Sequence, residues 1–519
     1  MNLSPLRIRL LVGALFVVSF LGALDHTIVS TSLATIAGEL DALAQMSWII
    51  VAYTLASTVL MPVIGRLGDM IGPRLVFLVS LAVFLAASLA CGFAPGMTAL
   101  IVARVVQGVG SAGLHLMSQT IVAHVTTPRQ RARYMSVIGA AFPVAILAGP
   151  VLGGVIVDTW GWPWVFWINL PLGGAALAFA AFALPHVESG AERGRIDVAG
   201  ALAFAVAMVS LVLAVTWLGD PAALGAGLAC AALSATGFAV FVLVEFRASH
   251  PLVPLRLFAD RRMAASTALS AVIGVGLFSV TAYLPTFFQM AYRTSATVSG
   301  LVPIATVFGM LVSSLFSGWL VGRTGRYRRF AIAGPLLASF GLGAMAVLPL
   351  GLPLWVPMAL MALVGIGTGL FMSLVVAVAQ SSAPRSATGA ATAAVNLVRQ
   401  IGSTVATAIV GGVIGAGVAA ALVSEVAALT PQEVHAAPAA VQDAVARAYG
   451  DVMGPVFGAL ALVYLLGFVI ALLLPAGRLS DEHAPAHPPA AEPTRLVGRG
   501  HPIPQAAAGG PASSREETP

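Results

Sequence analysis

Apolar runs of about 20 residues recur along almost the whole chain, and no other feature restricts its fold as strongly. They lie at about 10–33, 47–65, 75–94, 98–122, 134–157, 164–184 and 197–217, then at 222–245, 264–289, 298–321, 330–349, 353–378, 388–418 and 454–475. A helix crossing a hydrocarbon core of about 30 Å needs roughly 20 such residues. Within lipid every backbone N–H and C=O must be satisfied inside the segment or in a closed barrel. Runs this long therefore predict an all-α integral membrane protein with fourteen transmembrane helices. Only 9% of the residues are Asp, Glu, Lys or Arg, against about 25% in soluble domains, which excludes a water-soluble fold.

All 26 basic residues are arginine. A phosphate-cradling loop ending in Gly-Lys-Ser/Thr and a Schiff-base lysine are both excluded, and with them ATP-driven pumping and pyridoxal chemistry by this chain. Cys91 and Cys230 fall in apolar runs and support neither a disulfide framework nor a zinc site. No cofactor and no metal centre is expected. Arg7 and Arg9 before an apolar run resemble the start of a signal peptide, but Asp25 inside that run argues for a retained first helix.

Arginine is enriched in loops kept in the cytoplasm. With the N-terminus inside, 22 arginines fall in inner loops and tails, only Arg293 and Arg447 fall outside, and Arg104 and Arg399 lie within spans. A miscounted span would scramble this asymmetry, so both termini are expected in the cytoplasm of a bacterial inner membrane.

Asp25 is the carboxylate set well inside an apolar span, where a charge costs about 2.5 to 3.5 kcal/mol and marks a functional candidate. It lies roughly 8 Å from the outer side by helical rise, and Arg104, counted from the other end of span four, lies roughly 9 Å deep. The two share a depth, either as a proton-coupling pair or as a static ion pair; coupling further requires that a cavity reach the carboxyl group. Gln107 and Gly108 follow Arg104 on the same helix face, Gln107 to hold the guanidinium or to touch cargo and Gly108 to permit close helix approach.

An internal repeat links Gly65 and Gly72, after span two, with Gly318 and Gly325, after span ten, both at an offset of 253 residues. Two six-helix halves result, 1–190 and 251–475, with two extra helices in 191–250 and a disordered tail at 476–519. A site between related halves is the plan of many secondary transporters.

The loop Gly65 to Arg74, the run Arg104-Val105-Val106-Gln107-Gly108-Val109-Gly110, and Gly139 to Pro143 leading to Gly149-Pro150-Val151-Leu152-Gly153-Gly154 resemble motifs of the major facilitator superfamily. Leu24 to Val29 and the aromatic lead-in Trp160 to Pro171 are similar to its 14-helix drug:proton antiporters of the EmrB/QacA type. The resemblance implies the major facilitator fold, a proton-coupling role for Asp25 and Arg104, and a gate formed by Pro143, Gly149, Pro150, Gly153 and Gly154.

Asp69 is expected to form a latch by meeting the next helix's positive end and pairing with Arg66 or Arg74, with Gly65 and Gly72 framing it. Gly322 stands where the second copy would carry the acid, so one such latch is expected. Trp48, Tyr53, Phe142, Tyr283 and Gln289 suit the wall of an apolar cavity with a few polar contacts, although Trp48 equally suits an interfacial anchor. Asn396, Arg399 and Gln400 share a face of span thirteen, where Arg399 either binds an anionic group, balances Asp25 or joins a packing network. His26 and His115 read chiefly as packing residues.

The expected function is proton-driven export of small amphipathic or lipophilic compounds such as antibiotics, by a monomer contacting lipid and no nucleic acid, with an adaptor protein left open. The alternative is export of an endogenous lipid, siderophore or secondary metabolite; a membrane transferase or a ligand-sensing receptor is remote.

Overall fold

The structure, a computed structural model, describes residues 4–184, 196–218, 223–422, 424–427 and 429–480, all within one unit. Among the described residues fourteen helices are long and apolar enough to cross a membrane, and no strand occurs. They are α1 Leu6–Glu39, α2 Trp48–Ile71, α3 Pro73–Gly92, α4 Met97–Val125, α5 Pro128–Trp160, α6 Pro163–Ala183 and α7 Val198–Leu218. The remainder are α8 Leu224–Arg247, α9 Arg261–Ala291, α10 Val298–Thr324, α11 Arg328–Ala346, α12 Trp355–Ser382, α13 Arg385–Ala421 and α14 Ala439–Leu472.

Each apolar run falls on one of these helices, but two boundaries differ. Helix α14 begins at Ala439, so Asp443 and Asp451 sit in its first turns and not in a loop. Hydropathy marks only the stretch suited to lipid, whereas the Ala-rich residues before it are good helix formers whatever surrounds them. The chain also stays docked beyond Pro475. Leu479 is buried and its N–H donates to Gly325 O at 3.0 Å, while Ser480 O accepts from Arg129 N at 3.1 Å. The expected disordered tail therefore begins no earlier than residue 481; residues 481–519 lie outside the described residues.

Two helices depart from regular α geometry. Pro143 has no N–H for the carbonyl of Gly139, and α5 breaks there into Pro128–Gly139 and Ala141–Trp160. Pro150 is accommodated within the second piece. Helix α9 contains a π-helical turn at Gly274–Phe278. A Cβ on Gly274 would stand 2.1 Å from Arg399 O, so the widened turn and the missing side chain together let α13 approach.

The repeat is visible in packing. Helix α2 docks on α13, where a Cβ on Gly65 would fall 2.8 Å from the Ala393 Cβ; α5 docks on α10, where a Cβ on Gly318 would fall 2.0 Å from Ser136 Oγ. Gly72 and Gly325, with φ of 94° and 70°, end α2 and α10 in conformations that favour glycine. The additional helices α7 and α8 pair through Phe204, Phe238 and Phe241 and through a Ser234 hydroxyl that donates to Ala207 O at 2.9 Å; α7 also touches α2 and α13.

Candidate functional site

Asp25 on α1 and Arg104 on α4 meet as a salt bridge, Nη1 to Oδ2 at 2.6 Å, with both side chains at 0% exposure. The other carboxylate oxygen, Oδ1, accepts from Gln107 Nε2 at 2.8 Å and from Asn169 Nδ2 at 3.0 Å. Every hydrogen bond to the carboxylate comes from a donor, which satisfies an acceptor whose side chain is shut off from solvent. Gln107 lies one turn from Arg104 and uses both ends of its amide. Its oxygen accepts from Arg104 Nη1 at 2.6 Å, and its nitrogen also donates to Ser88 Oγ at 2.8 Å.

Further groups hold the guanidinium, although its Nη2 is buried without a hydrogen-bond partner. Arg104 Nε donates to Ile49 O at 3.1 Å, and its carbon sits 4.1 Å from the Tyr53 ring centroid and 5.7 Å from that of Phe166. Aromatic faces attract a cation most strongly when water is excluded. Tyr53 donates its hydroxyl to Ser111 Oγ at 2.5 Å and to Gly22 O at 3.2 Å. This meeting of α2 and α4 depends on Gly108, where a Cβ would lie 2.3 Å from Tyr53 O.

Two of the expected cavity residues, Tyr53 and Gln107, are thus buried inside the ionic network and present no open wall. The expected water route to Asp25 is absent from this conformation, since its side chain has no exposed surface. Asn169 and Ser88 complete the site although neither carries charge. Both are polar residues within apolar runs, and that was the signal available for them.

A second polar cluster joins the halves. Asn396 Nδ2 on α13 donates to Gln119 Oε1 on α4 at 2.9 Å, and Gln380 Nε2 on α12 donates to Thr392 Oγ1 at 2.9 Å and to Gln119 O at 3.3 Å. Arg399 Nη2 donates to Asn396 Oδ1, and His115 Nε2 lies 3.1 Å from Gln119 Nε2. Arg399 and Gln400 keep part of their surface accessible. Elsewhere, Phe142 of α5 meets Phe278 of α9 edge-on at 5.8 Å, and Tyr283 donates to Thr407 O at 2.9 Å. Gln289 is half-buried, and Trp48, the first residue of α2, is 39% exposed.

The latch takes a different partner from the one expected. Asp69 lies in the last turn of α2, not at the start of α3, and its two oxygens accept from Gly389 N at 2.7 Å and Ala390 N at 2.9 Å. It therefore meets the positive end of a helix in the other half. Arg74 donates instead to Ala181 O of α6 at 2.6 Å. Of the expected gate, Gly149 and Gly153 pack α5 against α1, where Cβ atoms would fall 2.2 Å from Thr27 Oγ1 and 2.5 Å from Thr31 Oγ1. Pro143 is buried at the helix break and Pro150 is exposed, while Gly154 has no atom within 4 Å of a notional Cβ and so serves no close packing.

A membrane-crossing bundle of two related halves, with ionic and amide networks buried inside and between them, defines the class of multi-pass membrane transporters. The model of the Major Facilitator Superfamily matches residues 15–407. An uncharacterised MFS-type transporter of Mycobacterium tuberculosis, Rv1877, is 34% identical over 493 residues, covering 93% of this chain and 71% of its own length. The multidrug transporter protein MdtP of Bacillus subtilis is 35% identical over 365 residues, covering 70% of this chain and 67% of its own. Among solved structures, the human organic anion transporter MFSD10 superimposes with a TM-score of 0.60 at 14% identity, over 89% of this chain and 99% of that one. The chain belongs to the Major Facilitator Superfamily and is a transporter, not an enzyme. Its fourteen helices and its similarity to MdtP are consistent with the 14-helix drug-efflux type.

Proposed function

We propose that this protein is a proton-coupled exporter of small amphipathic compounds, antibiotics among them, working as a monomer in a bacterial cytoplasmic membrane with both termini inside and with no cofactor. The observation that carries this reading is Asp25, an acid buried within a span and held entirely by donors from α4 and α6. Protonation would remove the charge that Arg104 balances, and loss of the proton would restore it. Two states of the network then differ in electrostatic energy, as a switch between conformations requires.

With the arginine-rich ends in the cytoplasm, the Asp69 latch and the Gly65 and Gly318 contacts close that side. Because Asp25 is occluded here, proton exchange belongs to a conformation in which the pair has opened. A proton moving inward supplies about 2.3 kcal/mol per 100 mV of membrane potential and about 1.4 kcal/mol per pH unit. That suffices to move cargo outward against a gradient without nucleotide. Similarity to MdtP, named a multidrug transporter, favours drugs as cargo.

The test is substrate-evoked proton flux in proteoliposomes containing the full chain and the pH dye pyranine, across a panel of amphipathic antibiotics. Wild type should move protons upon addition of a transported compound, and Asp25→Asn should not. Wild-type flux from the Asp25→Asn protein would remove Asp25 as the coupling site.

A further inference from the structure

Arg399 stands about 11 residues into α13 from Thr388, roughly 16 Å along the helix axis and near the middle of a core about 30 Å thick. No carboxylate among the described residues pairs with it, whereas Arg104 is balanced by Asp25. One of its terminal nitrogens donates to Asn396 Oδ1, and Asn396 is itself held by Gln119 of α4, which fixes the guanidinium on the face of α13 turned toward the other half. His115 of α4 lies beside the same group. Despite its depth, Arg399 retains accessible surface. A fixed cation this far from either surface is expensive without a counter-ion, and its planar fork is shaped for one with two oxygens.

An apolar surface lies alongside. Gly274 seats the π-helical turn on the carbonyl of Arg399, and the last residue of that turn is Phe278, which meets Phe142 of the opposite half. The backbone of Arg399 therefore meets α9 about one helical turn before Phe278, at the boundary between the halves.

From this geometry we infer that Arg399 is a binding site for the acidic group of the cargo, a carboxylate or sulfonate on an aromatic or aliphatic body. The inference rests on the export reading above and narrows its substrate class to amphipathic organic anions and zwitterions. The depth of the site favours cargo over a phospholipid headgroup, which stays at the membrane surface. Asn396 orients the guanidinium, and the Phe142–Phe278 pair receives the hydrophobic body.

The test is equilibrium binding to the purified full chain in phosphatidylcholine nanodiscs, so that it stands apart from proton coupling. The probes are 11-(dansylamino)undecanoic acid and its methyl ester, which differ in one negative charge. Wild type should bind the acid about tenfold more tightly than the ester, the size of one charge-assisted hydrogen bond. Arg399→Gln should erase that preference while leaving ester affinity in place, which also reports that the variant is folded, and Arg399→Lys should restore part of it. Equal affinity of wild type for acid and ester, failure to bind either, or a preference that survives in Arg399→Gln would overturn the assignment. Loss of proton flux in Asp25→Asn with the acid preference intact would support both readings, and a surviving preference in Arg399→Gln would remove this one alone.

Discussion

The carboxylate of Asp69 and the backbone N–H of Ala390 lie 2.9 Å apart, although 321 positions separate them in the chain. This contact and its neighbour at Gly389 tie the last turn of α2 in one half to the first turn of α13 in the other. A negative charge at a helix N-terminus is stabilising, and hydrogen bonds to a charged acceptor contribute about 1.5 to 3 kcal/mol.

Asp69→Asn should therefore weaken the closed end by about 2 kcal/mol, a shift of roughly thirtyfold between conformations. Electron–electron distance measurements between spin labels at the exposed positions Ile71 and Arg385, in a background lacking Cys91 and Cys230, would register it as a larger long-distance population. An unchanged distribution would show that Asp69 does not hold this end shut.

Asn169 donates one of the three hydrogen bonds that hold Asp25. Asn169→Ala should lower substrate-evoked proton flux about tenfold while moving thermal stability only slightly, in line with the loss of one charge-assisted hydrogen bond. Asn169→Asp sets a like charge against Asp25 and should reduce flux further. Pyranine fluorescence in proteoliposomes compares the two, and wild-type flux in both would place Asn169 outside the coupling network.

Gly108 and Gly154 form a matched pair of glycines with opposite surroundings. A Cβ at Gly108 would strike Tyr53 O, whereas nothing lies within 4 Å of one at Gly154. Gly108→Ala must separate α2 from α4 at an overpacking cost of about 1 to 3 kcal/mol, withdrawing Ile49 O and the Tyr53 ring from Arg104. Its melting temperature in detergent should fall by several degrees and its transport with it. Gly154→Ala should match wild type in both measurements.

Pro143→Ala would supply the N–H that the carbonyl of Gly139 lacks and should close the break in α5. Hydrogen exchange of the amides just after the break should slow about tenfold, an added protection of about 1.4 kcal/mol. Transport should slow with it if α5 bends at this point during the cycle. Exchange as fast as in wild type would mean that tertiary packing, and not the missing amide, interrupts the helix.

The fourteen spans were legible because the bilayer imposes one length and one polarity on every crossing segment, and that pattern survives without any knowledge of contacts. Asp25 and Arg104 were legible for the same reason, since a charge inside an apolar run is an exception that needs a cause. Asn169 and Ser88 escaped because an uncharged polar side chain in a span is common, and because Asn169 reaches Asp25 across 144 positions while Ser88 joins the site only through Gln107 and Asn169. Tyr53 read as a cavity wall because an aromatic residue near a helix start fits one. Only the packing of α2 on α4 reveals that its ring covers Arg104. For Asp69 the error was one of helix limits: α2 runs on to Ile71, which turns the acid toward α13.

The seal around Asp25 bears on how a cell keeps its membrane energised. A carboxyl group in standing contact with solvent on both sides of a bilayer would relay protons without moving anything else, draining the gradient as an open leak does. Here that group has no accessible surface while the far ends of α2 and α13 are clasped together. In this conformation the carboxyl group meets neither side, so under the proposed proton-coupled reading an idle copy would not dissipate the gradient.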